Sequence, residues 1–176
     1  MKILDKLLEN TWKLLIGYAV FAVIIVILFR TVLMLNLIPS GSMESTIMTG
    51  DLVVSSRIDI NDIERYDILI FKPPIEEDSV YIKRVIGLPG ETIEVKNGKV
   101  YADGVELDSS FTNGPQNRNG DGKWKVPDGC LFFLGDNRNN SKDSRFWENA
   151  YTPITNVYAK AKLVAFPFSR LRSLSH

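Results

Sequence analysis

The chain has 176 residues, enough for one domain of ordinary size and an appendage. Lys and Arg together number 21, and so do Asp and Glu, so no global charge points to nucleic acid or to an acidic partner. A lone cysteine, Cys130, excludes an internal disulfide and a cysteine cluster, and the lone histidine, His176, argues against a triad or metal site built on histidine. Neither a metal nor an organic cofactor is implied.

In chain order, the first element is apolar. Residues 14–29 carry no charge and are mostly Leu, Ile, Val, Phe and Ala. As a helix rising ~1.5 Å per residue, Trp12 to Arg30 spans about 27 Å, close to a ~30 Å hydrocarbon core. Trp12, Lys13 and Tyr18 suit one interface, and Arg30 can snorkel at the other. Lys2, Lys6 and Lys13 precede the span and only Arg30 follows it closely, which places the N-terminus in the cytoplasm. We therefore expect a short cytoplasmic segment (1–11), a transmembrane anchor (12–35) and an extracytoplasmic domain (36–176) of a single-pass plasma-membrane protein. A cleaved signal peptide is the alternative, but no small-x-small cleavage site follows the apolar run. Residues 32–37 come instead, and they fit either the domain core or the outer leaflet.

Beyond Ser42 the period changes. Residues 51–57, 66–72 and 79–86 are short runs rich in β-branched and aromatic residues, separated by turn residues, and predict strands. Residues 91–95 and 99–101 flank Asn97-Gly98, a two-residue hairpin signal. Pro89-Gly90 and Pro127-Asp128-Gly129 read as turns. Residues 109–123 are rich in Asn, Gly and Asp and predict a polar surface loop, within a reduced insertion at 108–126. Residues 130–134 form a continuous apolar run, a buried strand with Cys130 as a small hydrophobe. In 157–165, Val157, Ala159, Ala161, Leu163 and Ala165 alternate with Lys160 and Lys162, the period of a half-buried strand. The expected fold is mainly β and antiparallel, on one N-terminal transmembrane helix.

The chemistry-bearing residues are few. Ser42 stands between Gly41 and Met43 in a Ser-rich turn, and a serine hydroxyl needs a base to become a nucleophile at neutral pH. With histidine absent from the body of the chain, Lys83 is the candidate base. Strand alternation puts it on one face with Tyr81 and Val85, where desolvation would lower its pKa; reaching about 8 costs roughly 3 kcal/mol. Spacing alone also allows an ordinary surface lysine.

Three stretches in order, Pro39-Ser40-Gly41-Ser42-Met43, Tyr81 to Glu91 and Gly135 to Arg145, resemble the signature boxes of bacterial type I signal peptidases. Residues 50–54 and 166–170 are similar to further family segments, so the resemblance covers essentially the whole chain. It implies a membrane-anchored serine endopeptidase with Ser42 as nucleophile and Lys83 as general base. It further implies an oxyanion hole from the Ser40 hydroxyl and the Ser42 amide, orientation of the lysine by Ser141, and an Asp143–Arg145 pair holding the Ser141 loop. The implied substrate is the signal peptide of an exported precursor, cut after small residues of Ala-x-Ala type, with Ile38, Met43, Ile47, Tyr81 and Ile82 lining the pockets. The implied partners are signal peptides and membrane lipid, without nucleic acid; the oligomeric state is left open.

Three positions depart from the family pattern. Ser45 replaces a usual proline, Asn139 a common aspartate, and Asn36 a large apolar residue. A reading of another class, a non-proteolytic accessory factor for exported surface proteins on the same fold, stays open beside the enzyme.

Overall fold

The computed structural model of the chain describes residues 2–75, 79–116 and 120–174, with side chains from residue 10 onward. The side chains of Lys2 and Lys6, residues 117–119 of the polar loop and His176 lie outside the described residues. A single long helix, α1 (Lys2–Thr31), opens the chain. Its segment Asn10–Thr31 is long and apolar enough to cross a membrane, and none of it is buried against the rest of the molecule.

The helix stops at Thr31, whose hydroxyl donates back to the Ile27 carbonyl at 2.8 Å. Residues 33–35, expected within the anchor, are instead the start of β1 (Leu33–Leu37), because their backbone groups pair with β2 (Leu52–Ser56). The strands that follow are β3 (Ile68–Phe71), β4 (Tyr81–Gly87), β5 (Thr92–Lys96), β6 (Lys99–Ala102), β7 (Val105–Glu106) and β8 (Gly122–Lys125). The last four are β9 (Cys130–Leu134), β10 (Thr152–Pro153), β11 (Val157–Phe166) and β12 (Arg172–Ser173). The large sheet runs β1-β2-β11-β3-β4-β9-β10 with β12 beside β11; a smaller sheet runs β7-β6-β5-β8. Every strand pairing among the described residues is antiparallel.

Local chemistry explains most of these elements. β3 is Ile-Leu-Ile-Phe, buried on both faces, and accordingly sits between two strands of the large sheet. Asn97 (φ 51°) and Gly98 (φ 77°) both adopt the positive φ that a tight two-residue turn demands, joining β5 to β6. β11 alternates as expected through Val157, Ala159 and Ala161. A register shift between Ala161 and Leu163 then moves the inward position to Val164, so Leu163 and Ala165 are not the buried set. The expected polar loop is also shorter than its composition indicated, since Gly122–Lys125 pairs with β5 as a strand. Cys130 lies at the start of β9 beside Pro153 of the edge strand β10 and is only half-buried.

Across β1, β2 and β11 the two faces separate cleanly. Met34, Ser55 and Ala161 lie in one row and Asn36, Val53 and Val164 in the next, and Val53, Ala161 and Val164 of these rows are core. The opposite rows, Leu35–Val54–Leu163 and Leu37–Leu52–Phe166, are apolar and partly or fully exposed.

Candidate active site

Ser42 is carried on a turn between β1 and β2. Ile38 N donates to Asp51 O at 2.9 Å and Gly50 N to Ile38 O at 2.8 Å, which closes the loop at its base. Inside it, Thr46 N and Ile47 N both donate to Met43 O at 2.8 Å, and the Met43 and Ile47 side chains are pegged into the core. This coiling leaves Ser42 facing β4. The Glu44–Ser45 peptide in this turn is cis.

Lys83 sits where β4 loses a neighbour. β9 pairs with β4 from Arg84 onward and ends at Leu134, so residues 81–83 of β4 have a strand only on the β3 side. The Lys83 side chain is 4% exposed. Its Nζ donates to Ser42 Oγ at 2.5 Å and to the Ile82 carbonyl at 3.1 Å, and lies 5.2 Å from the centre of the Tyr81 ring. Burial pushes its pKa down from 10.5 to about 8, outweighing the pull of the Asp143 and Asp136 carboxylates toward the charged form. Near pH 7 this amine is therefore partly neutral, which is the state able to take a proton from the hydroxyl it touches.

The remaining groups converge from the segment after β9. Gly135 makes the turn possible: a Cβ there would lie 2.5 Å from the Ser42 carbonyl and 2.6 Å from Ser141 Cβ. Asn137 N donates to Ser42 O and Asn137 Nδ2 to Gly41 O, each at 3.1 Å, tying this segment to the turn that carries Ser42. Ser141 is buried beside Gly135. Asp143 and Arg145 form a fully buried two-point pair, Nε to Oδ1 and Nη2 to Oδ2, both at 2.8 Å. Asp143 also accepts from Gly135 N at 3.1 Å, and Arg145 donates to Arg138 O at 2.9 Å, so the pair braces both ends of the loop that carries Ser141. Ser40 Oγ is 3.5 Å from Ser42 Oγ.

A groove of about 410 Å³ runs past Ser42 and Lys83, walled by Pro39, Ser40, Tyr81 and Ile82 with Asn140 and Lys142 among its lining. A second hollow of about 300 Å³ shares Pro39, Tyr81 and Ile82 with it and is otherwise lined by Asn36, Ile38 and Ile70 among others. Of the expected pocket residues, Ile38, Tyr81 and Ile82 therefore border these hollows. Met43 and Ile47 do not, being wholly in the core. The three departures are each accommodated: Ser45 Oγ donates to Phe111 O at 3.4 Å, Asn139 Nδ2 to Pro115 O at 3.0 Å, and Asn36 Nδ2 to Ser55 Oγ at 3.1 Å.

Sequence reasoning missed the groups that hold the site together. Arg84 and Asp136 form a second buried two-point pair at 2.8 and 2.6 Å. Asp51, at the base of the Ser42 turn, accepts from Arg170 Nε at 2.7 Å. Asp136 and Asn137 stood in the Gly-Asp-Asn-Arg run, but no local signal names a partner 52 or 96 positions away.

The profile of the family described as signal peptidase, peptidase S26, matches residues 11–166. A protein named probable signal peptidase I-2 from Synechocystis sp. is 37% identical, over 95% of this chain and 79% of its own length. Signal peptidase I of Bacillus caldolyticus is 34% identical, over 85% of this chain and 88% of its own length. A crystal structure of a signal peptidase I from Enterococcus faecalis V583 is 33% identical, covering 56% of this chain and 96% of that one with a TM-score of 0.48.

Proposed function

The chain belongs to the signal peptidase family, peptidase S26, and from that premise we propose that it removes signal peptides from exported precursors by a Ser42–Lys83 mechanism. The observation that carries the reading is the 2.5 Å contact between Lys83 Nζ and Ser42 Oγ inside a groove open to solvent. Neutral Lys83 takes the Ser42 proton as Oγ attacks the scissile carbonyl carbon. The oxyanion so formed accepts hydrogen bonds from the Ser40 hydroxyl and the Ser42 amide. Collapse breaks the C–N bond, and the leaving amine of the mature protein takes the proton from Lys83. The signal peptide is then an ester on Ser42. Lys83 next deprotonates a water that attacks this ester, giving the free carboxylate and restoring the serine.

Ser141 and the Asp143–Arg145 pair act by keeping the lysine in line. Small residues at the first and third positions before the bond fit the two hollows that share the Pro39–Tyr81–Ile82 wall, since an extended peptide turns alternate side chains to one side. The apolar helix anchors the domain, with the N-terminus cytoplasmic and the groove on the outer side.

The test is cleavage of a precursor bearing an Ala-x-Ala site by the detergent-solubilised protein, with Ser42→Ala and Lys83→Ala in parallel. The expected outcome is one cut after the second alanine, found by mass spectrometry with the wild type alone. Cleavage that survives both substitutions would overturn the mechanism. A Ser42→Ala protein that keeps the cellular role would favour the accessory reading.

A further inference from the structure

Trp147 has no part in the reaction as drawn, yet its surroundings connect it to the reacting pair. It is 6% exposed, and its indole N–H is buried without a hydrogen-bond partner. An unpaired buried donor is costly, so the ring is held here by its aromatic contacts and not by a hydrogen bond. The indole meets Tyr81 at 6.0 Å with the rings inclined at 66°, and Phe71 at 6.1 Å and 67°. Phe71 in turn stacks on Phe133 at 3.9 Å. The Tyr81 ring lies 5.2 Å from Lys83 Nζ. β9 has already ended at this level, so no strand covers Tyr81 on that side, and Trp147 supplies the packing instead.

We propose that Trp147 is a positioning residue for Lys83: packed at a steep angle against Tyr81, it fixes that ring over the amine and keeps water from that side. The inference rests on the reading of Lys83 as the base. Two effects of the aromatic wall oppose each other. The π face of Tyr81 favours a protonated amine, whereas the water-excluding bulk of Tyr81 and Trp147 favours a neutral one. Burial is the largest influence on Lys83, so exclusion dominates. The charged groups facing the amine are Asp143 and Asp136, which are held by Arg145 and Arg84; Arg138 lies behind them on the Gly135 carbonyl, and Lys142 lines the groove. None belongs to the aromatic wall, so a change at Trp147 leaves those charges in place.

The experiment is trace acetylation of the Lys83 amine in the full-length protein in detergent, followed against pH by mass spectrometry. Wild type, Trp147→Phe and Trp147→Ala are compared, with the melting transition recorded for each. The wild type and the ring-conserving Trp147→Phe should label with a midpoint at about 8. Trp147→Ala should move the midpoint upward by about one unit or more, toward the ordinary lysine value. A folded Trp147→Ala protein with an unmoved midpoint would overturn the proposal. Should alanine prevent folding, Trp147→Leu fills the volume without the ring and is judged by the same shift. Labelling needs no substrate, so its outcome is separate from that of the cleavage assay. Failure of the proposed function appears as no cleavage by the wild type, and failure of this inference as an unmoved midpoint.

Discussion

As the proposed base, Lys83 is useful only in the fraction of molecules where it is neutral. With a pKa of about 8 that fraction is roughly one in ten at pH 7, against roughly one in three thousand at the ordinary value of 10.5. Cleavage should therefore rise with pH and level off above about 8, with no limb near ~6.5 of the histidine kind. Lys83→Arg should abolish it, because a guanidinium stays protonated throughout. A pH–kcat/KM profile with a limb near ~6.5 that survives Lys83→Arg would refute this. The same shift has a cost in stability. The folded pKa is depressed, so between about 8 and 10.5 the unfolded chain binds more protons and stability rises with pH. Below that window the buried charge costs roughly 3 kcal/mol at ~1.36 kcal/mol per unit. Lys83→Met should thus be inactive yet more stable than wild type at neutral pH, with the gap closing as pH approaches 10.5. Urea unfolding at the two ends of the window measures it. At this scale the sequence supplied candidates and no geometry: 41 positions separate Ser42 from Lys83, and only the fold brings them within 2.5 Å.

At the scale of elements, β4 works by alternation. Lys83 and Arg84 are neighbours, so the strand turns them to opposite faces. Lys83 meets the turn carrying Ser42 from one side. From the other, Arg84 clamps Asp136, donates to the Tyr66 carbonyl at 2.8 Å and lies 4.1 Å from the centre of the Phe111 ring. One strand thereby fixes both the turn carrying Ser42, through Thr46 Oγ1 at 3.3 Å, and the loop carrying Ser141. Replacing Arg84 with Met leaves the Asp136 carboxylate buried without its cation, which costs about 3–5 kcal/mol. The exposed pair Lys99–Glu106, with both side chains about half in water, is the control: Lys99→Ala should change stability by less than about 1 kcal/mol. Equal losses for the two in urea unfolding would show that the buried pair does not carry the domain. The strands themselves were legible because half-buried β sequence alternates with period two, as β11 does up to Ala161. Where it failed, the cause is local. A bulge redirected Leu163 and Ala165, and the apolar residues 33–35 read alike as helix end or strand. In Gly122–Lys125 only Trp124 is apolar, too little to announce a strand against the charges beside it.

The whole molecule is an apolar helix joined at Val32 to a domain whose nearest strands are greasy on the outside. Residues 32–37 were open to two readings from sequence, and the register divides them between both. Met34 packs on the core, while Leu35 and Leu37 point away from it. The outward row continues from Leu37 through Leu52 to Phe166, and Phe166 meets Phe168 with ring centres 5.5 Å apart. Leu37 is 70% and Phe168 79% exposed, and Leu171 lies close behind. Scattered apolar residues on a surface need no explanation, but a contiguous patch reached from the end of a membrane-spanning segment does. Lipid covers it at no cost in ordering a second protein, and the covalent link keeps the local lipid concentration high. The patch should therefore rest in the leaflet nearest the C-terminal end of the helix and hold the Ser42 groove, which begins at Pro39 two residues beyond Leu37, at the bilayer surface. A fluorophore placed at position 37 or 168 of the reconstituted protein should be quenched by lipids with nitroxide near the headgroup. One at Val105, equally exposed but on the smaller sheet, should not be. Equal quenching at all three sites, or none at 37 and 168, would mean that the helix alone holds the protein to the membrane and the groove hangs free of it.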